Sequence, residues 1–184
     1  MEAWKDKRRV MRRYDLTAQM YDTRYAEEQE TKYKAALDCV TIQGLVLDVA
    51  CGTGLLFNRV AVKAQTLVGV DISKQLLIRA KSRVQDYPNV HLIQADADHL
   101  PVGNNVFNVI LAFTVLQNMP QPSETLREMQ RAAKQGASIV VTGLKKAFTP
   151  EHFQGLLEES GLKVISVMDD DALKCFIAVT SKNR

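Results

Sequence analysis

From Gly44 onward the chain repeats one unit: a short apolar run closed by a carboxylate or hydroxyl, then a helix-patterned stretch. Few folds accept that rhythm. The runs are Leu45–Val49, Thr66–Val70, Val90–Ala95, Phe107–Thr114 and Ala137–Thr142, and two more follow at Lys163–Met168 and Leu173–Thr180. Helices are expected between them, at Leu55–Ala61, from a Ser73 cap through Val84, from a Ser123 cap to a C′ glycine at Gly136, and from Thr149-Pro150 to Gly161. Strands that are apolar almost throughout belong to a parallel sheet buried on both faces. The turn Asp169-Asp170-Asp171 is too short for a crossover, so the last two strands must be antiparallel. The expected fold is α/β: a doubly wound, mostly parallel seven-stranded sheet with an antiparallel last strand and helices on both faces.

At 184 residues the chain suits a single domain over 1–184, with residues 1–43 as an N-terminal helical lid. Hydrophobic residues at 46% against 24% charged exclude a disordered chain. No apolar run exceeds the five residues of Val109–Phe113, far short of the roughly 18 that span a membrane, and the basic start resembles no secretory signal. A cytoplasmic protein is expected, with Cys39, Cys51 and Cys175 as buried thiols and no metal site, since neither they nor the three histidines have ligand spacing. Lys5, Lys7, Arg8, Arg9, Arg12 and Arg13 against Glu2 and Asp6 concentrate positive charge in residues 1–13, while the rest of the chain is near neutral. That arm reads as a solvated helix or frayed terminus, or as a phosphate-contacting arm.

In such sheets ligands sit beyond the carboxyl ends of the strands. Asp48, Asp71, Asp96 and Thr114 fall there, beside a glycine loop, Asp48-Val49-Ala50-Cys51-Gly52-Thr53-Gly54. A nucleoside triphosphate would need Lys and Ser/Thr after the last glycine, where Leu55 and Leu56 stand. A nicotinamide dinucleotide would need a third glycine where Phe57 stands, and Asp48 would repel its pyrophosphate. A cationic ligand reverses that repulsion. S-Adenosylmethionine carries a sulfonium and an ammonium that favour Asp48. Its ribose diol suits Asp71, and its adenine amino group suits Asp96.

The chain resembles the class I S-adenosylmethionine-dependent methyltransferases, in the broad branch of the ubiquinone/menaquinone-biosynthesis enzymes. The resemblance rests on Tyr14-Asp15, Tyr21-Asp22, the loop Asp48 to Gly54, Asp71, the run Asp96-Ala97-Asp98-His99-Leu100-Pro101, Phe107-Asn108-Val109-Ile110 and Met119-Pro120. It implies the sheet order 3-2-1-4-5-7-6 with strand 7 reversed. It also implies that Ala50, Cys51, Gly52, Thr53 and Gly54 line the methionine and ribose, with Asp48 helping to fix the ammonium. Asp71 would hold the ribose hydroxyls and Ile72 would pack on adenine, whose edge Asp96 and Ala97 would bind. Phe113 would face the cofactor, Tyr21 would close over the methionine, and Thr114 and Gln117 would stand nearer the acceptor.

Methyl transfer from a sulfonium is an in-line displacement with a neutral leaving group, so no acid–base dyad need be visible. Enzymes that methylate exocyclic amines of bases, or glutamine, commonly carry an Asn/Asp-Pro-Pro-Tyr-like segment after the fourth strand; here it is Ala112-Phe113-Thr114-Val115. Only Leu144–Thr149 separates the fifth strand from the next helix, so no insertion caps the site. An open site slightly favours a macromolecular acceptor, RNA or protein, over a small molecule. The alternative is a non-catalytic cofactor-binding or scaffold subunit, whose partner would add to the edge strand at Val90–Ile93.

Overall fold

The computed structural model of the chain describes residues 2–182. Strands β1 (Leu45–Val49), β2 (Thr66–Asp71), β3 (Val90–Gln94), β4 (Phe107–Ala112), β5 (Ala133–Leu144), β6 (Leu162–Met168) and β7 (Cys175–Lys182) form one sheet in the order β3-β2-β1-β4-β5-β7-β6. The pairs β3–β2, β2–β1, β1–β4 and β4–β5 are parallel, whereas β7 runs antiparallel to both β5 and β6. Alternation along each strand divides the core in two. Leu47, Val49, Ile110, Ala112 and Phe176 pack under helices α5 (Pro122–Ala132) and α6 (Pro150–Glu159). Val46, Val109, Leu111, Ile177 and Val179 face α2 (Tyr21–Leu37), α3 (Phe57–Val60) and α4 (Lys74–Arg83). Helices therefore cover both faces, as expected. None of the described helices is long and apolar enough to cross a membrane.

Two caps act as expected: the Ser73 hydroxyl accepts from the Leu76 N–H and the Thr149 hydroxyl from the His152 N–H. Elsewhere tertiary geometry overrides local signals. The helix expected over Leu55–Ala61 shrinks to the single turn α3, because the chain must re-enter the sheet at Thr66. Helix α5 starts after Gln121 with Pro122 in its first turn, and Ser123 is not its cap. Gly136 is no helix terminus either. β5 begins directly at Ala133, and Gly136, at φ +74°, lies where the β4–β5 register jumps from Phe107↔Ala133 to Val109↔Ser138. β4 stops at Ala112 because Thr114 adopts φ +63° and leaves the sheet. Cys39 is exposed, against the expectation of three buried thiols.

The N-terminal segment is neither frayed nor fully solvated. Helix α1 (Glu2–Thr17) lies against α4, and its Lys7 is only 8% exposed. Asp15 docks it, accepting from the Ser73 hydroxyl at 2.6 Å and from the Gln75 N–H at 3.2 Å at the start of α4. Asp22 secures α2 to the glycine loop, accepting from the Thr53 hydroxyl and from Arg83, which also donates to the Thr53 carbonyl at 2.6 Å.

Candidate cofactor and acceptor site

The sheet leaves a crevice beyond the carboxyl ends of β1, β2, β3 and β4, roofed by α1 and α2. In the loop after β1, Ala50, Gly52 and Gly54 all have positive φ (58°, 57° and 76°), a run that turns backbone N–H groups toward a ligand. A side chain on Gly54 would overlap the Phe57 ring, 2.5 Å from its Cβ position. Phe57 is fully buried under the loop and fills the space that a dinucleotide fold gives to its third glycine.

Eight of the twelve residues singled out from the sequence line this cavity: Tyr21, Ala50, Gly52, Asp71, Ile72, Asp96, Ala97 and Phe113. The other four, Asp48, Cys51, Thr53 and Gly54, are buried but do not line it. Asp48 shares the strand face of Val46, beneath α2, where burial and then the charge of Asp71 push its carboxyl pKa well above the usual range. Cys51 lies under the loop, its sulfur close to Gly69, and burial raises its thiol pKa well above normal.

Asp71 stands at the centre. Its two oxygens accept from the Gly52 N–H at 2.9 Å and the Ser73 N–H at 2.8 Å, and each keeps a lone pair for a further donor such as a ribose hydroxyl. Burial raises its pKa to about 6 despite those amides. Asp96 is also engaged, accepting from the Asp98 N–H at 3.0 Å and from Lys7 at 2.7 Å. Lys7 pairs with Asp98 as well. Burial works against the Lys7 ammonium, yet the two carboxylates outweigh it and its pKa is raised. Lys7, Val10 and Tyr14, at i, i+3 and i+7 on α1, form one wall and narrow the open volume to about 70 Å³.

A second cavity of about 890 Å³ adjoins the first, with Tyr14, Tyr21, Thr114 and Asn118 lining both. Behind the junction, Lys32 is 1% exposed and donates to the Thr114 hydroxyl oxygen at 2.8 Å. Burial lowers the Lys32 pKa, partly countered by Glu28, 3.7 Å away. Sequence reasoning missed Lys7 and Lys32, because charged residues on polar helices carry no mark of burial. The spacing of Lys7, Val10 and Tyr14 was the one available signal.

The family profile described as "Methyltransferase domain" matches residues 47–141, just over half of the chain. A malonyl-[acyl-carrier protein] O-methyltransferase of Marinomonas sp. is 28% identical over 151 residues, covering 79% of this chain and 55% of its own length. The chain spans about half to two thirds of the length of the curated relatives it matches. Among solved structures, the [4+2]-cyclase SpnF superposes with a TM-score of 0.84 at 17% identity, over 94% of each chain. Magnesium protoporphyrin IX methyltransferase of Synechocystis with bound S-adenosylmethionine does so at 0.76 and 17%, over 97% of each. Sheet order, strand-end crevice and family profile agree: the chain belongs to the class I S-adenosylmethionine-dependent methyltransferases.

Proposed function

We propose that the protein transfers a methyl group from S-adenosylmethionine to a small molecule held in the second cavity. The carrying observation is that two cavities, one at the strand ends and one bordering α2, have Tyr14, Tyr21, Thr114 and Asn118 in both linings, so a donor in the first and an acceptor in the second would lie side by side. The donor supplies an electrophilic methyl carbon on a cationic sulfur. In this reading Asp71 holds the ribose, Gly52 and Ala50 lie along the backbone cradle, Ile72 packs on adenine, and Asp96 and Ala97 meet its edge. Phe113 and Tyr21 close the methionine end. Asp48, Cys51, Thr53 and Gly54 act from below, by shaping the loop. Asp96 already accepts from Lys7 and from the Asp98 N–H, one bond to each oxygen, and each oxygen keeps a lone pair for the adenine amino group.

The size of the second cavity favours a small acceptor, since pockets of roughly 300–1,000 Å³ suit ligands of that class. The leaning toward a macromolecule rested on the absence of an insertion after β5. Helices α1 and α2 supply that cover, with Lys7 and Arg13 engaged against the body of the protein. The scaffold alternative draws on the outer edge of β3, over Val90–Ile93, which no described strand pairs. Calorimetry should show binding of S-adenosylmethionine and no binding of NAD, and labelled methyl should reach a dialysable acceptor. Binding of NAD alone would overturn the reading; cofactor binding with no transfer to any acceptor would leave the scaffold.

A further inference from the structure

We infer that the methyl-receiving group is the carboxylate of a small organic acid, a refinement that rests on the function proposed above. The Thr114 hydroxyl carries the argument. Its oxygen accepts from Lys32 at 2.8 Å and from the Gln29 amide at 3.4 Å, which uses both lone pairs and leaves its hydrogen for the cavities it lines. Thr114 therefore meets a ligand only as a donor. The Tyr14 hydroxyl, which accepts from Asn118 at 3.2 Å, also has its hydrogen available. Burial pushes the Tyr21 phenol far above its usual range, so it too stays protonated. The Asn118 oxygen already accepts from Arg13. A junction of donors fits an atom that brings lone pairs and no hydrogen.

The charge around the second cavity has the same sense. Arg13, Arg24, Lys145, Lys146 and Lys174 line it against a single carboxylate, Glu28, which is already bound to Lys174 at 2.8 Å. Among the described residues Arg24 and Lys146 have no carboxylate partner. The buried amide nitrogen and oxygen of Gln117 also lack a protein partner and border the same space. The shared wall of Tyr14, Tyr21, Thr114 and Asn118 holds no carboxylate, imidazole or amine to take a proton, which favours an acceptor already ionised at neutral pH, a carboxylate over a phenol. One carboxylate oxygen forms a bond to the methyl carbon while the carbon–sulfur bond breaks with its electron pair on sulfur. The products are a neutral methyl ester and a neutral thioether, and no proton moves.

The test uses the full chain, S-adenosylmethionine tritiated in its methyl group, and the dialysable molecules of a cell lysate separated beforehand by anion exchange at neutral pH. Label should enter the retained, anionic fraction and be released as volatile methanol by mild alkali, which cleaves carboxyl methyl esters but not aryl ethers or N-methyl groups. Label in the unretained fraction, or an alkali-stable product, overturns the inference and leaves methyl transfer standing. No label anywhere, with cofactor binding intact, overturns the enzyme reading and this inference together. Thr114→Val should lower kcat/KM for the labelled acid by about tenfold or more, and Thr114→Ser should restore it. Equal activity in Thr114→Val and wild type would also overturn the inference. Arg24→Gln combined with Lys146→Gln should raise KM several-fold while sparing kcat, and an unchanged KM would count against the acidic acceptor.

Discussion

Replacing Asp71 by asparagine separates what this carboxylate does for the fold from what it does for the cofactor. With its pKa raised to about 6 by burial, the ionised form is disfavoured in the native state by roughly 3 kcal/mol, at about 1.4 kcal/mol per pH unit. The folded protein holds this proton more tightly than the unfolded chain does, so stability is lost as pH climbs from about 4 to about 6 and levels off above that. Asparagine removes the charge penalty but turns an NH₂ toward the Gly52 or the Ser73 amide, leaving a buried donor unmatched at about 1–3 kcal/mol. The two effects nearly cancel. Urea unfolding at pH 7 should therefore place Asp71→Asn within about 2 kcal/mol of wild type. Its stability should lack the decline between pH 4 and 6. Cofactor binding has no such compensation: in the ribose role proposed for Asp71, one charge-assisted bond would be lost, worth about 1.5–3 kcal/mol, or roughly 10- to 150-fold in affinity. Wild-type affinity should also fall as pH drops below about 6, and the variant's should not. Calorimetric affinity within twofold of wild type, or a variant that still loses stability between pH 4 and 6, would refute the argument.

Three further perturbations address the lid and the loop. Lys7→Met leaves Asp96 and Asp98 without their shared cation, so hydrogen exchange of α1 should speed up by about tenfold or more while the strands keep their protection. Uniform exchange across α1 and the sheet would contradict it. Deleting residues 1–13 removes Lys7 and Val10 from the cavity wall and should weaken cofactor binding about fivefold, the worth of roughly 1 kcal/mol of lost apolar cover. A purely solvated arm would leave affinity unchanged. Gly54→Ala combines a left-handed backbone with a clash on Phe57 and should cost about 2–5 kcal/mol in a urea titration. A smaller loss would mean that the Phe57 ring can shift freely.

The sheet was legible because each strand carries its own signature. Leu45–Val49 and Phe107–Ala112 are apolar at all but one position each, and the acidic turn before β7 forces its reversal. Asp71 and Asp96 were legible as strand-end carboxylates for the same reason. What escaped the sequence depends on partners far along the chain. Lys7 is buried only because Asp96 and Asp98 lie 89 and 91 positions later. Lys32 is buried because Thr114 turns back from the sheet, 82 positions on. Gly136 and Ser123 misled because a terminator glycine and a capping serine look the same when the fold employs neither as such.

The position of β7 bears on how the chain reaches this state. It is the last of the seven strands to be synthesised, yet it pairs on both sides, Ser138↔Ser181 with β5 and Lys163↔Ser181 with β6. Until residues 175–182 leave the ribosome, β5 has an open edge and β6 has no neighbour to join. Synthesis from the N-terminus can thus assemble the β3-β2-β1-β4-β5 portion early but must hold its growing edge unprotected. The β5–β7 pairings, from Leu144↔Cys175 to Ser138↔Ser181, join distant parts of the chain and are slow to form. The half of the sheet that carries the glycine loop and Asp71 is therefore the part able to form first, and the nascent chain is most prone to aggregate while β5 waits for β7.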